Sequence, residues 1–127
     1  MPTVEISCGE LVDKLTILEI KERRLTSPAA VANVKRELAA LNAALAALRP
    51  PAAFGALKDE LASINVSLWE IEDAIRAKEA AGAFDDEFVS LARSVYHNND
   101  KRAALKREIN VLLKSDFVEE KQYTSYR

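Results

Sequence analysis

Residues 54–75 read FGALKDELASINVSLWEIEDAI and place an apolar side chain at every third or fourth position. The apolar positions are Phe54, Leu57, Leu61, Ile64, Leu68, Ile71 and Ile75. Steps of three and four follow the period of an α-helix and put all these side chains in one seam. Since a seam this long is typical of coiled-coil packing, the sequence predicts a long helix that packs against other helices.

The same spacing recurs on both sides of this segment. Residues 31–48 form a second seam, and residues 88–113 form a third. The third seam contains three polar residues close together, Asn99, Arg102 and Lys106. Apolar seams on successive segments predict an all-α protein in which charged side chains reach the packed faces.

Helix ends are marked by residues that favour them. Ser7 and Glu10 have the spacing of a capping box, Pro28 suits a first helical position, and Pro50-Pro51 stops a helix. The predicted helices cover about residues 8–25, 28–48, 52–81 and 86–114, and a docked or mobile tail covers 115–127. Short connections make consecutive helices antiparallel, so we expect one domain over 1–127, an up-down bundle of four helices with coiled-coil-like seams.

The first helix is apolar on two sides. Leu11, Leu15 and Leu18 lie along one stripe, whereas Ile17 and Ile20 lie on the other side of the helix. A surface helix needs only one apolar stripe. The first helix should therefore be sandwiched between neighbours, within one bundle or at a dimer interface.

Composition excludes several classes of protein. The chain has 127 residues, with 18 Lys and Arg against 20 Asp and Glu, and a formal net charge of −2. This balance disfavours nucleic-acid binding, which depends on neutralising phosphates. The single cysteine excludes an internal disulfide. The N-terminus lacks the features of a signal peptide and no apolar stretch could cross a bilayer, so we expect a cytoplasmic protein that does not bind membranes.

Counting along antiparallel helices places several polar residues at one level of the bundle. This predicted polar layer contains Asp13, Asn42, Asn65, Arg102 and Lys106. Two interpretations remain open. The layer is either a basic pocket for an anionic ligand, or a buried ion pair that fixes the register of the helices.

Other candidate sites have weaker support. Glu10 and Asp13, like Glu70 and Asp73, stand one helical turn apart, as ligands of a hard cation would. A chain with 20 acidic residues contains such pairs by chance. The sequence therefore predicts no metal site and no cofactor, and it assigns no catalytic residue.

Three segments together carry a resemblance to a known family. They are EISCGELVDKLTILEIK over residues 5–21, LWEIEDAIR over 68–76 and NDKRAALKREIN over 99–110. The chain resembles a bacterial family of small all-helical proteins of about this length and of unknown function. The resemblance implies no catalytic residues, but it adds Glu72 to the candidate layer as a motif member. It also implies a link to surface-polysaccharide systems, because similar segments occur beside glycosyltransferase or tetratricopeptide-repeat proteins.

These observations favour a non-enzymatic protein-interaction or scaffold module, which we expect to form a homodimer. Its apolar stripes offer more surface than one small bundle can easily cover. The alternative is a small-anion or nucleotide-binding protein, or an enzyme, that uses the charged pocket between helices. The sequence alone does not decide whether the chain is an enzyme.

Overall fold

The computed structural model describes residues 1–126, and Arg127, the last residue of the predicted tail, lies outside them. The described residues form four α-helices and no strand. The helices are α1 (Cys8–Arg24), α2 (Pro28–Ala47), α3 (Phe54–Ala80) and α4 (Asp86–Leu112). The predicted all-α fold class is confirmed, and each helix begins and ends within two residues of its expected position. None of these helices is both long enough and apolar enough to cross a bilayer.

Helix α1 lies at the centre of the packing. It is the only described helix that approaches each of the other three, and eight of its 17 residues are buried. Leu15 from one apolar side and Ile20 from the other are both almost completely inaccessible to solvent. The expectation that α1 is sandwiched between neighbours is confirmed, and those neighbours belong to the same chain.

Helix α2 is attached to the other helices through α1. Within residues 1–126 the backbone of α2 comes close to α1 and to neither α3 nor α4. It contributes Val34, Leu38 and Leu45 to the core. The outer surface of α2 is rich in alanine and exposed, so one long side of this helix has no neighbour in the described chain.

Helices α3 and α4 form a hairpin that is longer than α1. Each has 27 residues, and Gly82 in the turn between them adopts a φ of 64°, a conformation that glycine reaches without strain. No residue from Val66 to Ala104 is fully buried. Half of the hairpin therefore projects beyond the part of the core that α1 covers.

The segment after α4 turns back and lies along that helix. Lys114 adopts a φ of 57°, and the N–H of Ser115 donates to the carbonyl oxygen of Asn110 at 2.8 Å. Further along, Glu119 contacts Lys106, which lies two turns before the end of α4. Residues 115–126 of the predicted tail therefore contact α4.

Candidate functional site

The first turn of α1 lies directly against α4. The N–H of Gly9 donates to Oδ1 of Asn110 at 2.6 Å, and the N–H of Cys8 donates to Oγ of Ser115 at 3.1 Å. A Cβ atom at Gly9 would lie 2.5 Å from the carbonyl oxygen of Lys106. Only glycine permits this approach, so residue 9 fixes the distance between the two helices.

The predicted capping box forms only in part. Oγ of Ser7 accepts a hydrogen bond from the N–H of Glu10 at 3.1 Å, as expected. The carboxylate of Glu10 was expected to turn back to the backbone of Ser7, but its Oε2 pairs with Nζ of Lys106 at 2.9 Å. A charged partner on α4 offers a stronger interaction than a neutral N–H group.

Asp13 lies at the centre of the polar layer and is 1% exposed. Nε of Arg102 in α4 donates to its Oδ1 at 2.8 Å, and Nη2 of Arg102 donates to its Oδ2. Nδ2 of Asn65 in α3 donates to Oδ1 of Asp13 at 3.0 Å and to Oγ1 of Thr16 at 2.9 Å. A single carboxylate therefore connects α1, α3 and α4.

Lys106 extends this network to the C-terminal segment. Its side chain is 8% exposed, and its Nζ contacts Oε2 of Glu10 at 2.9 Å and Oε2 of Glu119 at 2.8 Å. Reasoning from the sequence missed both carboxylates. Glu10 already had a role as a capping residue, and Glu119 lies in a segment without periodicity.

The charges in the layer stabilise one another. Burial alone would raise the pKa of Asp13, but the hydrogen bonds from Arg102 and Asn65 and the nearby positive charges hold that pKa below its usual value. Burial opposes the charged form of Lys106 in the same way, yet the bonds to Glu119 and Glu10 raise its pKa above the usual value. The hydrogen bond from Lys106 lowers the pKa of Glu119. These groups are therefore ionised at neutral pH.

Two of the residues predicted for the layer lie elsewhere. Asn42 is exposed on α2, because α2 packs against α1 alone and does not reach the level of α3 that we assumed. Glu72 is exposed on the projecting half of the hairpin, where its Oε1 accepts from Nη2 of Arg76 at 3.1 Å. The structure brings together Asp13, Asn65, Arg102 and Lys106.

The layer has little capacity to take up a ligand. Its two cations are neutralised by the carboxylates of Glu10, Asp13 and Glu119. No fully buried side-chain nitrogen or oxygen among the described residues lacks a hydrogen-bond partner. The cavity next to Lys106 has a volume of about 10 Å³, which is no more than one water needs. This geometry favours an ion network that fixes helix register, and the ligand-binding role stays a prediction.

Metal-binding and nucleophilic groups are dispersed. Across residues 1–126, no group of three or more His, Cys, Asp or Glu side chains is arranged to hold a metal ion. Cys8 lies at the start of α1 next to Ser115, whereas His97 packs its ring against Tyr96 and Tyr126, with centroids 5.0 Å apart in both cases. The cysteine and the histidine therefore belong to different parts of the fold.

A different face of the α3–α4 hairpin is open. Two open depressions of about 420 and 470 Å³ lie along the two helices, and we call them together the hairpin groove. Its residues in α3 are Glu60, Ser63, Ile64, Ser67, Glu70, Ile71 and Ala74, and those in α4 are Leu91, Asn98, Lys101, Ala104, Leu105 and Glu108. Ser63 and Ser67 lie about half a turn around α3 from Leu61 and Asn65, which pack toward α1. Ser63 and Ser67 therefore face away from α1, whereas Ile64 and Leu105 border the core and Glu70 pairs with Arg24 of α1 at 3.2 Å.

The comparisons with known proteins identify a family but no residue roles. A family model described as "Family of unknown function (DUF6165)" matches residues 2–126, nearly the whole chain. No curated protein and no solved structure matches the chain. The role of each residue must therefore come from the geometry above.

Proposed function

We propose that this chain, which belongs to the DUF6165 family, is a protein-interaction module that associates with a second copy of itself through the hairpin groove. The main support is that the groove lies open along α3 and α4, without a further helix of the described chain across it. The side chains of Ile64, Ile71 and Leu91 remain partly exposed there. Partly exposed apolar surface at the bottom of a groove is a common feature of surfaces that bind another protein.

The shape of the groove suits a helix. Ser63, Ser67 and Ala104 have short side chains, so the backbone of a partner can approach closely. Fourteen residues separate Glu60 from Ala74, which corresponds to about 21 Å of helix. This length accommodates about four turns of a helix that lays its smaller side chains along the groove.

Helix α2 of a second copy matches the groove in size. Its outer surface is mostly alanine and has no neighbour in the described chain. Its charged residues are Lys35, Arg36 and Glu37, and Glu37 is already paired with Lys14 at 2.8 Å. The exposed face of α2 is therefore small and carries positive charge.

The charge of the groove complements that of α2. The carboxylates of Glu60 and Glu108 line the groove together with one cation, Lys101, and the carboxylate of Glu70 is already paired with Arg24 of α1 at 3.2 Å. Opposite charges across an interface guide encounter and disfavour incorrect partners. We therefore infer that α2 of one copy lies in the groove of the other and forms a homodimer.

Such a module needs no catalytic residue, in agreement with the non-enzymatic role favoured by the sequence. We place it in the cytoplasm as a scaffold without nucleic-acid or membrane partners. A link to surface-polysaccharide systems stays a prediction of the family resemblance alone.

Sedimentation velocity tests this proposal. The wild-type chain should change from monomer to dimer between about 1 and 100 µM, because self-association follows mass action. Ser67→Arg places a long cation in the groove and should keep the chain monomeric. Ser90→Arg is the matched control, because Ser90 is exposed outside the groove, and it should dimerise like the wild type. A wild-type chain that stays monomeric, or equal behaviour of the two variants, would contradict the proposal.

A further inference from the structure

A third cavity lies between α4 and the segment that follows it. It has a volume of about 580 Å³, and we call it the tail cavity. Helix α4 contributes His97, Lys101 and Arg107 to its wall, and the C-terminal segment contributes Lys121 and Tyr123 among others. The volume lies within the range of about 300 to 1,000 Å³ that is typical of small-molecule sites.

The C-terminal segment is held at both ends of this cavity. At one end Glu119 pairs with Lys106 at 2.8 Å. At the other end the hydroxyl of Tyr126 donates to the carboxylate of Asp100, and its ring packs edge-on against His97 with a centroid distance of 5.0 Å. The segment thus spans the cavity as a strap with two fixed points.

Positive charge is concentrated in the tail cavity. Lys101, Arg107 and Lys121 line it, against a single carboxylate, Asp100. Neither Lys101 nor Arg107 forms an ion pair with any other residue in the range 1–126. Among the described residues, Lys121 forms an ion pair with Glu119 alone, at 3.8 Å, and that carboxylate lies closer to Lys106. These cations contrast with the net charge of −2 of the whole chain.

The strap supplies further groups that can contact a ligand. The backbone N–H groups of residues 122–124 donate no hydrogen bond within the described chain, and these residues have no regular secondary structure. The side chain of Tyr123 is 80% exposed although it lines the cavity. An exposed tyrosine ring offers a flat surface on which a planar group can stack.

We propose that the tail cavity binds a small phosphate ester that carries a planar ring, of about the size of a mononucleotide. Arg107 and Lys121 hold the phosphate, because guanidinium and ammonium groups form charge-assisted hydrogen bonds with its oxygens. Lys101 adds a third positive charge, and Tyr123 stacks on the ring. The polar layer differs from this site, because the cations there are already paired with carboxylates of the protein.

Calorimetric titration of the full chain with AMP, ribose 5-phosphate and adenosine tests the proposal. AMP should bind most tightly and ribose 5-phosphate more weakly, whereas adenosine, which lacks the phosphate, should not bind measurably. Arg107→Ala and Lys121→Ala should each weaken AMP binding by about tenfold, the usual effect of losing one charge-assisted hydrogen bond. Tyr123→Ala should reduce the affinity for AMP to that for ribose 5-phosphate.

Arg23→Ala is the matched control for Arg107→Ala, because Arg23 is an exposed arginine near the end of α1 and lines neither the tail cavity nor the hairpin groove. It should leave AMP binding unchanged. Absence of AMP binding at millimolar concentration, or equal affinities in Arg23→Ala and Arg107→Ala, would overturn the proposal. Lys101 and Ala104 line both the tail cavity and the hairpin groove, whereas Arg107 and Lys121 do not line the groove. The Arg107→Ala and Lys121→Ala variants therefore test ligand binding separately from dimerisation.

Discussion

Replacing Gly9 with alanine should destabilise the protein strongly, although alanine is the better helix former. The new Cβ would lie 2.5 Å from the carbonyl oxygen of Lys106, whereas ordinary contact begins at 3.4 Å. The two helices would have to separate by about 0.9 Å. That movement would stretch the bond from Gly9 N to Asn110 Oδ1, now 2.6 Å, beyond hydrogen-bond distance.

The cost of Gly9→Ala follows from these two effects. Overpacking costs roughly 1 to 3 kcal/mol, and the lost hydrogen bond costs about 1 kcal/mol more. We expect the free energy of unfolding to fall by about 2 to 4 kcal/mol, which corresponds to roughly 8 to 16 °C in Tm for a chain of this size. Urea denaturation followed by far-UV circular dichroism measures the free energy directly.

Gly55→Ala is the matched control. Gly55 occupies the second position of α3, just as Gly9 occupies the second position of α1, but nothing lies within 4 Å of its added Cβ. It should be neutral or stabilise the protein by up to about 1 kcal/mol. If Gly9→Ala were as stable as Gly55→Ala, α1 could not lie as close to α4 as described here.

Four further results should follow from the polar layer and from the two predicted members that lie outside it. Asp13→Ala should lower the free energy of unfolding, measured by urea denaturation, by about 3 to 5 kcal/mol, because it leaves Arg102 without its carboxylate partner. A decrease of less than about 1 kcal/mol would contradict this. Because the pKa of Asp13 is lowered in the folded state, its carboxylate stabilises the fold at a pH above the unfolded-state pKa near 3.9. This stabilisation is lost as the pH falls through the folded-state pKa, so the urea midpoint should drop below about pH 4. Because the pKa of Lys106 is raised in the folded state, its ammonium group stabilises the fold at a pH below the unfolded-state pKa. The free energy of unfolding should therefore also fall as the pH rises above about 10.4. A urea midpoint that stays constant at both low and high pH would refute the network. Asn42→Ala and Glu72→Ala should each change the free energy of unfolding by less than about 0.5 kcal/mol, because both residues are exposed. A larger loss from Asn42→Ala would mean that Asn42 belongs to the polar layer.

The sequence is most informative where polar residues lie on apolar seams. Arg102 and Lys106 continue the seam of α4, and Asn65 adjoins that of α3, so helical spacing indicates that they face neighbouring helices. Short connections then set the level at which these residues meet Asp13. The contacts among Asp13, Asn65 and Arg102 were predictable for this reason.

The placement of Asn42 in the polar layer shows which information helical spacing does not contain. Periodicity tells which residues share a face of a helix, but not which neighbour that face will meet. We assumed that α2 lies against α3, whereas α2 approaches α1 alone. The hairpin groove was unpredictable for the same reason, because it depends on which face of α3 and α4 stays uncovered.

Other features depend on local competition between interactions. Glu10 could bond to the backbone of its own helix or pair with a cation, and only the position of Lys106 decides between them. Glu119 lies in an irregular segment, where no period indicates its partner. The close approach at Gly9 was not predictable from glycine alone, because Gly55 occupies the same position in α3 and nothing lies within 4 Å of its added Cβ.

Paramagnetic relaxation between two copies of the chain tests the proposed dimer most directly. A nitroxide placed on α2 through Ala40→Cys, in a Cys8→Ser background, would be mixed with an isotope-labelled wild-type chain. The amide signals of Ser67 and Ala104 in the labelled copy should broaden, while that of Gly82 at the tip of the hairpin should not. No broadening between copies, or broadening strongest at Gly82, would contradict the placement of α2 in the hairpin groove.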